Sequence, residues 1–138
     1  MADKIYRCIG IMTGNSLDAV DAVLTEFRGN AMQDVCGHSK TIPTALSNSF
    51  RQLKFMLSQN GCDIRSIAED SEFNFKKLHD QYVSLVAQTV EEMLKDNHIA
   101  KDSIDLIGFH GQTCAHCPPS IAQSRDPGQI YTLQIGSG

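Results

Sequence analysis

Apolar and polar positions alternate early in the chain and then change period. Residues 6–12 are a mostly apolar, isoleucine-rich run followed by Thr13, Gly14, Asn15 and Ser16, the pattern of a buried strand feeding a loop. Over 19–27, Val20, Ala22 and Leu24 are interleaved with Asp21, Val23 and Thr25, which predicts a second strand with one solvated face. Arg28, Gly29 and Asn30 mark a hairpin turn, and a weaker third strand is expected over 32–39. Pro43 favours extended backbone before it and a helix start after it. From there the period is helical: Leu46, Phe50, Leu53 and Leu57 share one face of a helix over 44–58 that closes at Asn60 and Gly61. After Asp63 a longer helical region carries Leu78, Tyr82, Leu85, Thr89, Met93 and Leu94, with charged residues mostly on its other faces. A compact apolar strand over 105–109 follows, then a helix-free stretch over 110–128 rich in Pro, Ser, Gly and Gln, and a last strand over 131–135.

This order predicts an α/β chain whose sheet is mixed, partly antiparallel, with flanking helices. A length of 138 residues has room for one domain and needs no staple to hold it together. With 41% apolar and 20% charged residues, the disordered, collagenous and coiled-coil classes are excluded. A net charge of −4 argues against partners held by an anionic backbone or surface, so no nucleic acid and no membrane are expected, and a small molecule is favoured. No apolar run has the length of a membrane span and the start lacks a signal-peptide core, so a cytoplasmic protein is expected. The five cysteines, Cys8, Cys36, Cys62, Cys114 and Cys117, are odd in number and scattered, so reduced thiols are expected rather than a disulfide framework. The chain stops at Gly136-Ser137-Gly138 with no later helix to cover the sheet's second face, from which a truncated fold prone to self-association is expected.

Three segments could carry chemistry. Gly14, Asn15, Ser16, Leu17, Asp18, Ala19, Val20 and Asp21 lie between two strands, where a small turn can aim backbone N–H groups and the Ser16 hydroxyl at phosphate oxygens. Asp18 and Asp21 are the nearest carboxylates for Mg²⁺, bound directly or through water. The competing reading of this segment is a plain hairpin with solvated aspartates. His110, Gln112 and Thr113 end a buried strand and offer an imidazole, an amide and a hydroxyl to a polyhydroxylated ligand, or else only satisfy local backbone groups. Cys114 and Cys117 have C-x-x-C spacing, yet no second ligand pair matches them and Pro118-Pro119 disfavours the helix start of a redox site.

The run Ile9-Gly10-Ile11-Met12-Thr13-Gly14-Asn15-Ser16-Leu17-Asp18-Ala19-Val20-Asp21 resembles the opening signature of the anhydro-N-acetylmuramic acid kinase family, which reads like G-x-M-S-G-T-S-x-D-G-x-D. His110-Gly111-Gln112-Thr113 followed by His116, and Thr132-Leu133-Gln134-Ile135-Gly136, look like its H-G-Q-T-x-x-H and T-L-Q-I-G segments in the same order. Thr13, Asn15 and Ala19 depart from the pattern, which has Ser, Thr and Gly there.

The resemblance implies the N-terminal lobe of a two-lobe, ribonuclease-H-like fold of the actin and hexokinase type, with residues 1–138 lacking the second lobe. It implies an ATP-dependent, Mg²⁺-using kinase that opens 1,6-anhydro-N-acetylmuramic acid with water and phosphorylates O6, giving N-acetylmuramic acid 6-phosphate for peptidoglycan recycling. Residues 14–21 would hold the ATP phosphates with Mg²⁺, and His110, Gln112 and Thr113 would lie near the sugar. The general-base aspartate is expected in a G-D-F-R-like segment beyond Gly138, leaving no catalytic residue within the chain. The alternatives are a non-catalytic nucleotide- or sugar-binding module and a Cys/His zinc or redox protein.

Overall fold

The computed structural model describes residues 4–118, 120 and 131–136. They fall into two compact units, one formed from residues 1–42 and 84–110 and the other from 43–83 and 111–137.

The first unit is built on a four-stranded sheet of β1 (Ile5–Thr13), β2 (Ala19–Arg28), β3 (Ala31–Thr41) and β4 (Leu106–Phe109), in the order β3-β2-β1-β4. The first three strands pair antiparallel and β4 lies parallel to β1, so the expected mixed sheet is present. Gly29, at φ +56°, takes the first position of the two-residue β2–β3 turn, a conformation that a Cβ would oppose. Because strand side chains alternate, Ile9 and Ile11 of β1 and Val20, Ala22 and Leu24 of β2 are buried on one face. The later turns of α3 (Phe75–Asp96) bury Leu85, Val86, Thr89, Met93 and Leu94, a helical stripe. Glu92 of α3 accepts from Lys40 Nζ at 2.7 Å and lies 2.9 Å from His38 Nε2, tying the helix to β3. These contacts hold the Glu92 carboxyl below its ordinary value, the Lys40 bond being the larger cause and the His38 bond the next. Arg7 reaches Glu26 and Ser103, and its backbone N–H donates to Asp105 Oδ2 at 2.9 Å, which fixes the entry to β4 beside β1. The opposite sheet face leaves Tyr6, Met12, Val23, Phe27, Met32 and Leu106 exposed.

The second unit combines α1 (Thr44–Gln59), α2 (Ile64–Ala68), the first turns of α3 and an antiparallel pair, β5 (Gln112–Cys117) with β6 (Tyr131–Ile135). The apolar face read from the sequence, Leu46, Phe50, Leu53 and Leu57, is the buried face of α1. Phe50 meets Tyr82 edge-to-face, with ring centroids 5.3 Å apart. The single helical region expected after Asp63 is two helices, because polar side chains cap both. Asp63 accepts from the Arg65 N–H to start α2. Asp70 Oδ1 then accepts from the Glu72 and Phe73 N–H groups, and Asn74 Oδ1 from that of Lys77. The strand β5 lies in the stretch read from the sequence only as helix-free, and Cys114 hides its alternation. Gln112 and Thr113 pair with Ile135 and Gln134, and Ala115 pairs with Leu133, so Cys114 is the extra residue of a β-bulge that breaks the alternation. The rest of the stretch expected to be helix-free, over 119–128, lies outside the described residues except for Ser120, which is helical and so departs from that expectation. Among the described residues, no helix is long and apolar enough to cross a membrane.

The expectation of reduced thiols throughout is corrected by a disulfide between Cys62 and Cys117, whose Cα atoms lie 6.4 Å apart across a sequence separation of 55. Both cysteines are buried, and the fold brings together two residues whose distance in sequence hides their pairing.

Candidate functional site

The β1–β2 connection is a turn in which the Leu17 N–H donates to the Gly14 carbonyl at 3.1 Å. Leu17, at φ +59°, turns its side chain into the core, and the Asp18 carbonyl accepts from the Ile42 N–H at 2.8 Å. A buried leucine closing the turn and a backbone bond at its exit thus hold it in place. Gly14, Asn15, Ser16 and Asp18 are exposed, and among the described residues a Cβ on Gly14 would come within 4 Å only of Ser16 Oγ, at 3.7 Å. The backbone is therefore open to close approach by an anion. Asp21 is exposed farther along, on β2, opposite Met12 and Ser39. Val20 is fully buried and Ala19 half-buried within β2, so Leu17, Ala19 and Val20 position the segment and the polar residues present its side chains. An exposed hydroxyl, an amide and the Asp18 carboxylate in a turn with an uncrowded glycine are groups that a phosphate with a hard cation could use, while Asp21 lies farther along on β2.

His110 follows β4 in the first unit and is exposed. Gln112 and Thr113 belong to the second unit and face opposite sides of the hairpin, so the three residues read together from the sequence do not form one side-chain row. Gln112 is 1% exposed, and its Nε2 donates to the Thr113 carbonyl at 3.0 Å. Its Oε1 is the buried side-chain polar atom without a partner among the described residues. A buried acceptor left unsatisfied is costly and calls for a donor.

The other face of the hairpin is polar. His116 Nδ1 lies 2.9 Å from Thr132 Oγ1, and Gln134 Nε2 makes a long 3.5 Å contact to Thr113 Oγ1. The sequence signal for this row was the alternation of Thr132 and Gln134 with Tyr131, Leu133 and Ile135. Its match in β5 was hidden by the bulge. Cys114 and Cys117 do not act as a pair, since Cys117 is bonded to Cys62. Burial pushes the Cys114 thiol up to about 12, so it stays protonated and is a poor nucleophile at neutral pH.

A mixed α/β fold with an exposed, uncrowded turn after its first strand and a polar hairpin later in the chain defines the class of structure. The sequence matches the family described as anhydro-N-acetylmuramic acid kinase over residues 6–138. It is 33% identical to the anhydro-N-acetylmuramic acid kinase of Methylobacterium nodulans over 138 residues, covering 96% of this chain and 34% of that protein. It is 37% identical to the corresponding kinase of Shewanella oneidensis over 135 residues, covering 97% of this chain and 31% of that protein. The chain belongs to the anhydro-N-acetylmuramic acid kinase family, and it spans about a third of the length of these curated relatives.

Proposed function

We propose that this chain is the N-terminal part of a cytoplasmic, ATP-dependent kinase that opens 1,6-anhydro-N-acetylmuramic acid with water and phosphorylates O6. The observation that carries the reading is the family match over residues 6–138, which includes both the turn at 14–21 and the segment at 110–113. The order β3-β2-β1-β4, three antiparallel strands and a parallel fourth reached through helices, supports a ribonuclease-H-like lobe. The second lobe and the general base then come from sequence outside these residues.

Bound Mg-ATP supplies the phosphoryl group, with the metal neutralising charge on its oxygens. Toward it, this chain offers the open backbone at Gly14, the side chains of Asn15 and Ser16, and the carboxylates of Asp18 and Asp21 as direct or water-mediated metal positions. Leu17 and the Asp18–Ile42 backbone bond keep that turn preorganised. On the sugar side, His110 and Thr113 offer outward polar groups, and the unpartnered Gln112 Oε1 is an acceptor for a donor such as a hydroxyl.

The test is a coupled assay of the full-length protein with Mg-ATP on the anhydro sugar, glucose and N-acetylglucosamine. Turnover is expected on the anhydro sugar, and turnover confined to a hexose would overturn the assignment. The 138-residue chain alone is expected to bind Mg-ATP no more tightly than millimolar, about 4 kcal/mol, and to show no turnover. Micromolar binding by that chain in calorimetry would favour a self-sufficient binding module instead.

A further inference from the structure

We propose that the Cys62–Cys117 disulfide is a redox-sensitive clamp that sets the order of the β5–β6 hairpin. The hairpin's paired strand ends are separated in sequence: β5 ends at Cys117 and β6 begins at Tyr131. Here the strand ends are fixed from outside. Cys117 and Tyr131 face each other in the ladder, and both are tied to Cys62. Cys117 is bonded to it through sulfur, and Tyr131 Oη donates to its carbonyl at 2.6 Å.

Cys62 is itself a firm anchor. It follows Gly61 at the end of α1, both residues hold positive φ, and the Cys62 N–H donates to the Leu57 carbonyl at 3.0 Å. Reduction leaves the Tyr131 hydrogen bond as the described tie of these strand ends to Cys62, so this end of the hairpin frays first. The far end, where Gly111 lies close against Ile135, is unaffected. Thr113, His116, Thr132 and Gln134 ride on this hairpin, and their alignment follows its register.

The switch has two states because the neighbouring Cys114 does not compete. It is buried, and its Sγ donates to the Gln112 carbonyl at 3.3 Å. Burial also keeps its thiol protonated. The chemistry requires a dithiol reductant. One of its thiolates attacks a sulfur of the pair, the S–S bond breaks and the other cysteine leaves as a thiolate that takes up a proton. The second reductant thiol then displaces the mixed disulfide, so two electrons and two protons pass to the protein and the reductant closes to its own disulfide.

The experiment compares the purified chain after treatment with diamide and after treatment with dithiothreitol. Alkylation in denaturant followed by intact mass should count three reactive cysteines, Cys8, Cys36 and Cys114, in the first state and five in the second. Hydrogen exchange should accelerate on reduction by about tenfold or more at 116–117 and 131–132, and remain unchanged in β1 and β2. The Tm should fall by about 5 °C or more. Cys114→Ser should keep the response, whereas Cys62→Ser and Cys117→Ser should each lack it and resemble the reduced protein. Five reactive cysteines after oxidation, equal hairpin exchange in the two states, or a response retained by Cys62→Ser and Cys117→Ser would each overturn the clamp. If the serine variants do not fold, the comparison of oxidised and reduced wild type decides alone.

Discussion

Gly111 and Ile135 approach so closely that a Cβ on Gly111 would stand 2.6 Å from the Ile135 carbonyl oxygen. Gly111 also holds φ at +78°, where an L side chain is strained. The two effects act together, and neither yields easily, because the obstructing atoms belong to the backbone of the paired strand. Gly111→Ala is therefore expected to destabilise the second unit by about 2–4 kcal/mol, combining left-handed strain with overpacking. Urea unfolding followed by tyrosine fluorescence checks this, and a midpoint equal to wild type would show that the hairpin is not seated as described.

The α1 core makes a second prediction. Phe50 and Tyr82 are both fully buried and meet edge-to-face. Removing the Phe50 ring loses its burial and leaves a cavity against Tyr82, so Phe50→Ala should cost about 3–5 kcal/mol. Phe50→Leu should cost markedly less, because it retains most of the apolar volume. Equal losses for the two substitutions would contradict a packing origin.

These predictions differ in how far the sequence alone reaches. The spacing of Leu46, Phe50, Leu53 and Leu57 marks the buried face of α1, since a helix repeats every 3.6 residues whatever it packs on. Likewise Val20, Ala22 and Leu24 mark the inner face of β2 through their alternation. The strand β5 was hidden because the Cys114 bulge shifts that alternation by one residue in a stretch full of turn formers. The break before α3 was visible as Asp70, Ser71 and Asn74, but helical spacing downstream masked it. The Cys62–Cys117 bond depends on tertiary proximity across 55 residues, which spacing does not encode. At the candidate site, the polar turn was legible as a motif. That Val20 faces inward, and that Gln112 and Thr113 part to opposite faces, follows from strand geometry, whereas the inward Leu17 depends on its left-handed backbone in the turn.

The tie between β3 and α3 should show in acid. Glu92 is held below its ordinary value by the Lys40 bond and then the His38 contact, so the unfolded chain takes up this proton at higher pH than the folded one. The contribution of Glu92 is thus present above the unfolded carboxyl value of about 4.3 and is lost as pH falls through the lower folded value. Glu92→Gln should be less stable than wild type at pH 7, and the gap should close in acid. Urea midpoints measured between pH 7 and pH 3 test the sign, and a gap that stays constant or widens in acid would refute it.

The outer face of the four-stranded sheet should drive self-association of the isolated chain. Tyr6, Cys8, Phe27 and Leu106 line a shallow cleft of about 850 Å³ on this unit, with Lys4 and Asp105 at its rim. Met12 is 61% exposed and Met32 is 68% exposed. A contiguous apolar sheet face in water gains free energy by covering itself, and β4 adds a short apolar edge strand with Leu106 and Ile107 more than half exposed. Association should strengthen with salt, because the surface gained is apolar, and should weaken when charge is placed on the patch. Met32→Lys combined with Leu106→Lys is the discriminating variant, since both side chains are exposed and their replacement leaves the buried face of the sheet intact. Light scattering across a dilution series should give a mass above 15.2 kDa for wild type and a mass near that value for the double variant. A wild-type chain that remains monomeric at every concentration would show that this face does not drive association.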